Sequence, residues 1–515
     1  MEMMTMKKSL VAIVLILMVG CTSIVEDDEN VTLDWYINYS WFKHQWGYDV
    51  VSQAISDIVG VDIQFVTPIG EESNKLSTIL QTNNLPDIIT LGWDDIYVSD
   101  LIKSDRVYAL NELDELYNVG FKEECTQQTY EWYTQNDGNI YGYPNSSYLP
   151  SDYEFRDDIG SNQVFIVRKD IYKAIGEPDM STMEGFKSAV KAAASLYNDI
   201  IPVGSTAFNS YGSYSFDVYL QNFLAVPFEK DGVYYDRNTD NEYIAWLKMF
   251  NELFREGYLY PEIFTDQKVQ FEEKFAQGKY FCVLYQRTDI TDQQKTLAIT
   301  DPEKIYIAID GPKNSNGDDH VLPGVGINGW TLTFISKDCA DPKKALELMT
   351  YMLSEQGQFL TVMGVEGVTF EWVDNRAVFK PSVSYLLNTN RELFDQIYGA
   401  NYTYWMLQNN RVGDKWIQQD VESLQQLAQW TYPYTHYMAQ YDISFAHDAQ
   451  LSKLNNKIKT LWGDYLIQLL LASSAKEFTQ LLAQYINDRD LLGYDIIIEE
   501  STHIMNEAKY KLGLD

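Results

Sequence analysis

The chain has 515 residues, 39 of them basic and 74 acidic, for a formal net charge of −35. That balance repels phosphate backbones and anionic lipid headgroups, which argues against nucleic-acid partners and against docking to a membrane through a basic patch. Apolar residues make up 45% of the chain, enough for two or three domains, and 38 Tyr and 12 Trp exceed what core packing alone usually recruits.

The first 20 residues read as a leader: Lys7 and Lys8 precede an apolar run, Leu10 to Val19. The run is too short to span a bilayer, which takes about 20 apolar residues. It ends in Leu17-Met18-Val19-Gly20-Cys21, which resembles the lipobox of bacterial lipoproteins, with Met18 where that pattern prefers Leu. The resemblance implies that residues 1–20 are a signal peptide and that Cys21 carries the lipid (palmitate among its acyl chains), holding the protein on the extracytoplasmic face of the cell membrane. An ordinary secretory leader, or an uncleaved anchor that happens to contain a Cys, is the plainer reading. Residues 21–30, with Glu26-Asp27-Asp28-Glu29, have nothing to bury and read as an acidic tether.

From Val31 the pattern alternates strand and helix. Val31 to Tyr36 is β-like, Val51, Ala54, Ile55, Ile58 and Val59 recur at helical spacing, Gly60 suits a helix C-cap, and Val61 to Val66 alternates as a strand. A helix through Leu76, Ile79 and Leu80 is followed by Leu85 to Leu91, where Pro86 stops the helix and the apolar run reads as a buried strand. Val164 to Val167 begins a second such unit, and the polar segment Ser146 to Asn162 marks a crossing between lobes. Ile305 to Ile309 and Thr331 to Ile335 are further strands, followed by an amphipathic helix from Pro342 through Leu353. The last third is helical, with one stripe through Leu454, Ile458, Leu461 and Tyr465 and a capping box, Ser474 to Glu477, opening another helix. Strands layered by helices predict an α/β fold.

Motifs for common chemistries are missing. Gly324-Val325-Gly326-Ile327-Asn328-Gly329 matches G-x-G-x-x-G, but Pro323 precedes it and a β-like run follows, so it reads as a loop and not as a dinucleotide cradle. Asp236 to Asp240 imitates the start of a calcium loop, yet Asn241 replaces the turn glycine and Leu247 the bidentate Glu. There is no P-loop, no H-E-x-x-H and no G-x-S-x-G. With Cys21 lipidated, Cys125, Cys282 and Cys339 allow at most one disulfide, and no Cys/His cluster supports a metal. No catalytic residue, metal or cofactor is expected.

Six short segments occur in a telling order: the leader, Asn84 to Thr90, Ile140 to Pro144, Val167 to Asp170, Phe275 to Lys279 and Gly364 to Gly367. Together they resemble the extracellular solute-binding proteins of family 1, receptor components of ABC sugar importers, in the long Gram-positive subgroup more remotely similar to maltose-binding protein. The resemblance implies a two-lobed, periplasmic-binding-protein-like (type II) fold, with residues 31–150 and 305–362 forming lobe one and residues 151–304 and 363–515 forming lobe two. It also implies a carbohydrate ligand, most readily an oligosaccharide, ABC permease subunits as partners, and a monomer without enzymatic activity.

Sugar hydroxyls need charged or amide partners, and sugar C–H faces stack on aromatic rings. In doubly wound sheets, ligands sit at the carboxyl ends of strands, where Trp93 and Asp94 follow one strand and Asn38 and Trp41 another. Tyr148, in the inter-lobe segment, and Tyr211, Tyr285 and Trp330, beside predicted strands, are further candidates, each with core packing as the simpler alternative. Glu366 is offered as a hydroxyl acceptor against an exposed turn carboxylate, and Arg168 as a clamp for a uronate against pairing with Asp170. Two alternatives stay open: a lipid-anchored glycoside hydrolase, and a receptor for peptides or other solutes on the same scaffold.

Overall fold

The computed structural model describes residues 30–514 except 70, 71, 82 and 83. The leader, Cys21 and the tether up to residue 29 lie outside the described residues. Nine strands build the two main sheets: β1 (Val31–Ile37), β2 (Val61–Val66), β3 (Ile88–Gly92), β4 (Gly142–Pro144), β5 (Gln163–Arg168), β6 (Ile201–Gly204), β7 (Tyr280–Gln286), β8 (Tyr306–Ala308) and β9 (Thr331–Ile335).

The first sheet runs β2-β1-β3-β9-β4. β1 lies parallel to β2, with Val31 opposite Val61, and parallel to β3, with Trp35 opposite Ile88. β9 runs antiparallel between β3 and β4, placing Thr331 opposite Gly92 and Phe334 opposite Gly142. Both faces are covered, which is why these strands read as nearly continuous apolar runs. Leu33, Trp35, Ile37 and Ile88 pack in one core with the helices Val50–Val59 and Pro342–Leu353, while Tyr36, Ile89, Leu91 and Phe334 pack in another with Leu76 and Leu101. The helix Val50–Val59 is capped by the Asp49 carboxylate, which accepts from the Val51 and Ser52 N–H groups, and closes at Gly60 as expected.

The second sheet runs β8-β5-β7-β6, with β5 antiparallel to both β8 and β7, and β6 parallel to β7. Its core holds the β5 and β7 residues, the helices Met183–Leu196 and Asn241–Arg255, and the long C-terminal helix Ala449–Leu471. Buried Asn251 donates to the carbonyls of Leu470 and Ala472 at 3.1 and 2.7 Å, tying up the C-terminal end of that long helix. Ser474 caps the next helix by accepting from the Glu477 N–H, but the Glu477 carboxylate returns to Ser473 and not to Ser474, so the capping box closes one residue early.

The chain therefore forms two α/β lobes, and the packing corrects the expected division between them. Met363, Phe370, Phe379, Phe394 and Trp405 share a core with Leu33 and Trp35 of the first lobe, whereas Tyr306, Ala308 and Leu322 belong to the core of the second. β8 pairs with β5 of the second lobe, so residues 305–323 stay in that lobe and the return to the first begins only at the loop before β9. The chain crosses between lobes in three places, near residues 145–162, 324–330 and 408–420. The expected first crossing, Ser146 to Asn162, is one of them. The G-x-G-x-x-G segment is the second, a loop as expected and a tightly packed one: a Cβ on Gly326 would meet that of Ala439 at 2.4 Å. Asp236 to Asp240 is likewise no calcium loop: Asp240 caps the helix Asn241–Arg255, and Asp236 is taken by Arg489.

Candidate ligand-binding cleft

A cleft of about 550 Å³ opens between the lobes. From the first lobe, Trp93 and Asp94 line it, carried on the turn that follows β3; from the second come Tyr211, Tyr214, Asp217 and Gln221, with Asp442 and Trp462 completing the wall. Parallel strands all end their carbonyl side at one edge, so residues just past β1 and β3 and just before antiparallel β9 converge there. The Trp93 N–H donates to the Trp330 carbonyl at 3.2 Å, locking the ends of β3 and β9 together. Asp95, two residues on, caps the helix Ile96–Lys103 by accepting from the Tyr97 N–H at 2.9 Å, which fixes the direction in which the turn leaves the sheet.

Beside that turn lies an aromatic shelf. Trp41 and Trp330 are stacked, with ring centroids 6.0 Å apart and planes at 7°, and Tyr39 and Trp405 pack against Trp330 at 4.9 and 4.4 Å. Trp41 is 50% exposed and Trp330 41%, so large apolar ring faces remain open to solvent at the sheet edge. Gly329 makes this possible: its φ is +65° and a Cβ there would lie 1.9 Å from the Asn145 carbonyl oxygen, so only glycine allows the turn that delivers Trp330.

The second-lobe wall is a tight turn, Asn209 to Gly212, in which the Asn209 side chain accepts from the Tyr211 N–H at 2.7 Å. It rests on Gly463 of the long C-terminal helix, where a Cβ would be 2.5 Å from the Ser210 carbonyl oxygen. Tyr211 and Tyr214 are both about half exposed, and Tyr214 stacks on Tyr219.

Carboxylates dominate the cleft. Asp94 has neither a hydrogen bond nor an ion pair with any described residue. Asp442 accepts from the Asn328 amide at 3.0 Å, and its carboxyl is pushed up to about 6, chiefly because the cleft walls displace water and secondarily by Asp94. Asp217 accepts from the Trp462 indole at 3.0 Å and the Gln221 amide at 2.9 Å, and burial pushes it up to about 6. Asp95 is likewise pushed up to about 6 by burial, with Asp94 and Glu72 adding to it. The Tyr214 hydroxyl is raised by crowding first and then by Asp94 across the cleft, so the two lobes are already within electrostatic reach of each other. Among the described residues no three His, Cys, Asp or Glu side chains are grouped to hold a metal ion, and Cys125, Cys282 and Cys339 are free thiols.

Of the residues proposed from sequence, Trp93, Asp94 and Tyr211 line the cleft, and Trp41 and Trp330 form the adjoining shelf. Asn38 is buried behind it, accepting from the Tyr36 hydroxyl at 2.7 Å and donating to Asp95, so it supports the turn. Tyr148 is buried at the hinge, where its hydroxyl meets Asp414, itself 2.8 Å from Arg156; it ties two crossings together. Tyr285 stacks on Phe271 at 4.3 Å inside the second lobe. Arg168 is buried too, forked onto Asp170 and donating to the Gly278 carbonyl, and it is not among the residues that line the cleft. Glu366 is exposed in a turn outside the cleft. Tyr39, Tyr214, Asp217, Gln221, Trp405 and Asp442 were not singled out; Tyr214 shares its turn with Tyr211, but Asp442 lies in a segment without any pattern.

Two lobes enclosing an aromatic, carboxylate-lined cleft define a ligand-binding protein of the type II, periplasmic-binding-protein-like class. Residues 55–369 match the family model for bacterial extracellular solute-binding proteins, and the chain belongs to that family. Solved structures share the fold across almost the whole chain. An alginate-binding protein, AlgQ2, is similar with a TM-score of 0.69 at 16% identity, covering 93% of this chain and 98% of its own. A solute-binding protein from Bifidobacterium longum infantis described as binding HMO gives 0.69 at 14%, covering 94% and 99%. FusA of S. pneumoniae, solved with kestose, gives 0.69 at 13%, covering 93% and 99%. No curated protein matches by sequence. No helix among the described residues is long and apolar enough to cross a membrane.

Proposed function

We propose that this protein is the substrate-binding component of an ABC importer, capturing an oligosaccharide between its lobes and presenting it to permease subunits. The observation that carries this reading is the cleft itself: flat aromatic faces at Trp93, Tyr211 and Tyr214 lie beside the unpartnered carboxylate of Asp94, with Asp217 and Asp442 around them. A sugar needs this pairing, since its hydroxyls donate to carboxylates while its C–H faces stack on rings. The names of the structural neighbours, which include alginate, HMO and kestose, support a carbohydrate.

Closure follows as a population shift. A sugar touching Asp94 on one lobe and Tyr211 on the other binds the closed arrangement better than the open one, and moves the equilibrium by that difference in affinity. Three crossings let the lobes move as bodies about the hinge, and Tyr148, Asp414 and Arg156 connect two of them. The cleft turns nothing over in this reading: the protein is a receptor, acting as a monomer and held at the membrane through a lipid on Cys21, with the acidic tether leaving the lobes free to reach the permease.

Titrating the purified chain with an oligosaccharide library tests the proposal. A saturable shift in Trp fluorescence without product supports it. Release of new reducing ends identifies a hydrolase and refutes it, and a response to peptides alone moves the ligand class.

A further inference from the structure

We propose that the cleft accepts uncharged oligosaccharides and turns away uronates and other anionic sugars, an assignment that rests on the receptor reading above. On the first lobe the only charged residue lining the cleft, among the described residues, is Asp94, and Glu72 and Asp95 lie close enough behind it to act with it on the Tyr39 hydroxyl. Asp442, at the wall, is near enough to Asp94 for the two carboxylates to repel each other.

Among the described residues, two cations, Arg237 and Lys459, line the cleft against the carboxylates of Asp94, Asp217, Asp236 and Asp442. Arg237 lines the cleft but is buried: its guanidinium lies 3.9 Å from the Phe228 ring centroid, one arm donates to Asn222 at 2.7 Å, and its Nε is enclosed without a hydrogen-bond partner. A sugar carboxylate is recognised best by a free bidentate guanidinium, and this one is walled in. Arg489 is committed to Asp236. Arg168, which the sequence offered as a carboxylate clamp, is buried against Asp170 and the Gly278 carbonyl. Lys459, exposed on the second-lobe wall of the cleft, is a single point charge and no fork, and its field falls on Asp217. A sugar carboxylate entering beside Asp94 therefore meets carboxylates with no fork to receive it, whereas a hydroxyl meets acceptors in need of a donor. At a separation of about 5 Å, in a partly hydrated cleft, the repulsion from one such carboxylate weakens binding about tenfold, and salt screens part of it.

The test uses the full chain and matched pairs of oligosaccharides, each neutral oligomer beside its counterpart oxidised at C6 to the uronate, titrated by calorimetry at low and high ionic strength. The expected result is that a neutral member binds, its uronate counterpart binds at least tenfold more weakly at low salt, and the gap narrows at high salt. Asp94→Asn combined with Asp442→Asn should shrink the gap further. The salt dependence of the unmodified protein carries the same information should the variant not fold. A uronate that binds as well as or better than its neutral counterpart overturns the charge assignment while leaving a sugar receptor in place. Failure of every sugar, neutral or acidic, overturns both.

Discussion

Replacing Trp330 by Ala tests whether the aromatic shelf is part of the ligand site. Trp330 is 41% exposed. A Trp side chain offers about 250 Å² at most, which leaves about 100 Å² of ring open at the sheet edge. A sugar that covers half to all of it removes apolar surface worth about 25 cal/mol per Å², or about 1.3 to 2.5 kcal/mol, so the dissociation constant should rise by about 10- to 70-fold. The loss should be insensitive to salt, because no charge is involved, and Trp330→Phe should recover part of it. Trp330 also packs on Trp405 and Tyr39, so calorimetric titration must be paired with a thermal melt to show that the lobe is still folded. An affinity within about twofold of the unmodified protein, in a folded variant, would refute the shelf as a subsite and confine the ligand to the cleft proper.

Four further outcomes follow from particular contacts. Arg168→Ala leaves the Asp170 carboxylate and the Gly278 carbonyl without their donor and should cost about 1 to 3 kcal/mol in urea denaturation, with ligand affinity unchanged. Gly463→Ala places a Cβ 2.6 Å from the Gly212 nitrogen; pushing the Tyr211 turn away should weaken ligand binding, measured by calorimetry, and cost about 1 to 3 kcal/mol of stability. Asp217 is held at about 6 in the folded protein against about 3.9 in the unfolded chain, so the native state holds its proton more tightly. Stability should therefore fall relative to Asp217→Asn as pH rises from about 4 to about 6 and run parallel above that, and a rising difference over that window in unfolding free energies would contradict it. Cys21→Ala should move the protein from the membrane to the soluble fraction on cell fractionation without altering its affinity for ligand; a loss of affinity would show that anchor and binding lobes are not separate.

Much of the local structure was legible because it is dictated locally. The strand Val61–Val66 and the helix Pro342–Leu353 have the bounds read from their periodicity, since alternation and helical spacing are properties of a few consecutive residues. The position of the turn after β3 was also legible, because the carboxyl ends of buried parallel strands share one edge of the sheet, and the turn lines the cleft there. The division into lobes was not: Met363, Phe379 and Trp405 are as apolar as residues of the second lobe, and only packing against Trp35 assigns them to the first.

What the sequence by itself determined is the class of the protein: an acidic chain, alternating strands and helices, and an order of short segments that resembles a solute-binding family. The tertiary structure alone decided which aromatics and charges face the cleft. Tyr285 and Tyr211 are the same residue type beside predicted strands, yet one stacks on Phe271 in a core and the other lines the cleft. Asp94 and Asp442 are far apart in sequence, and their mutual repulsion exists only because the fold brings them to one cleft. Periodicity reports burial along one element, whereas a binding surface is a meeting of several elements, and that meeting is set by long-range packing.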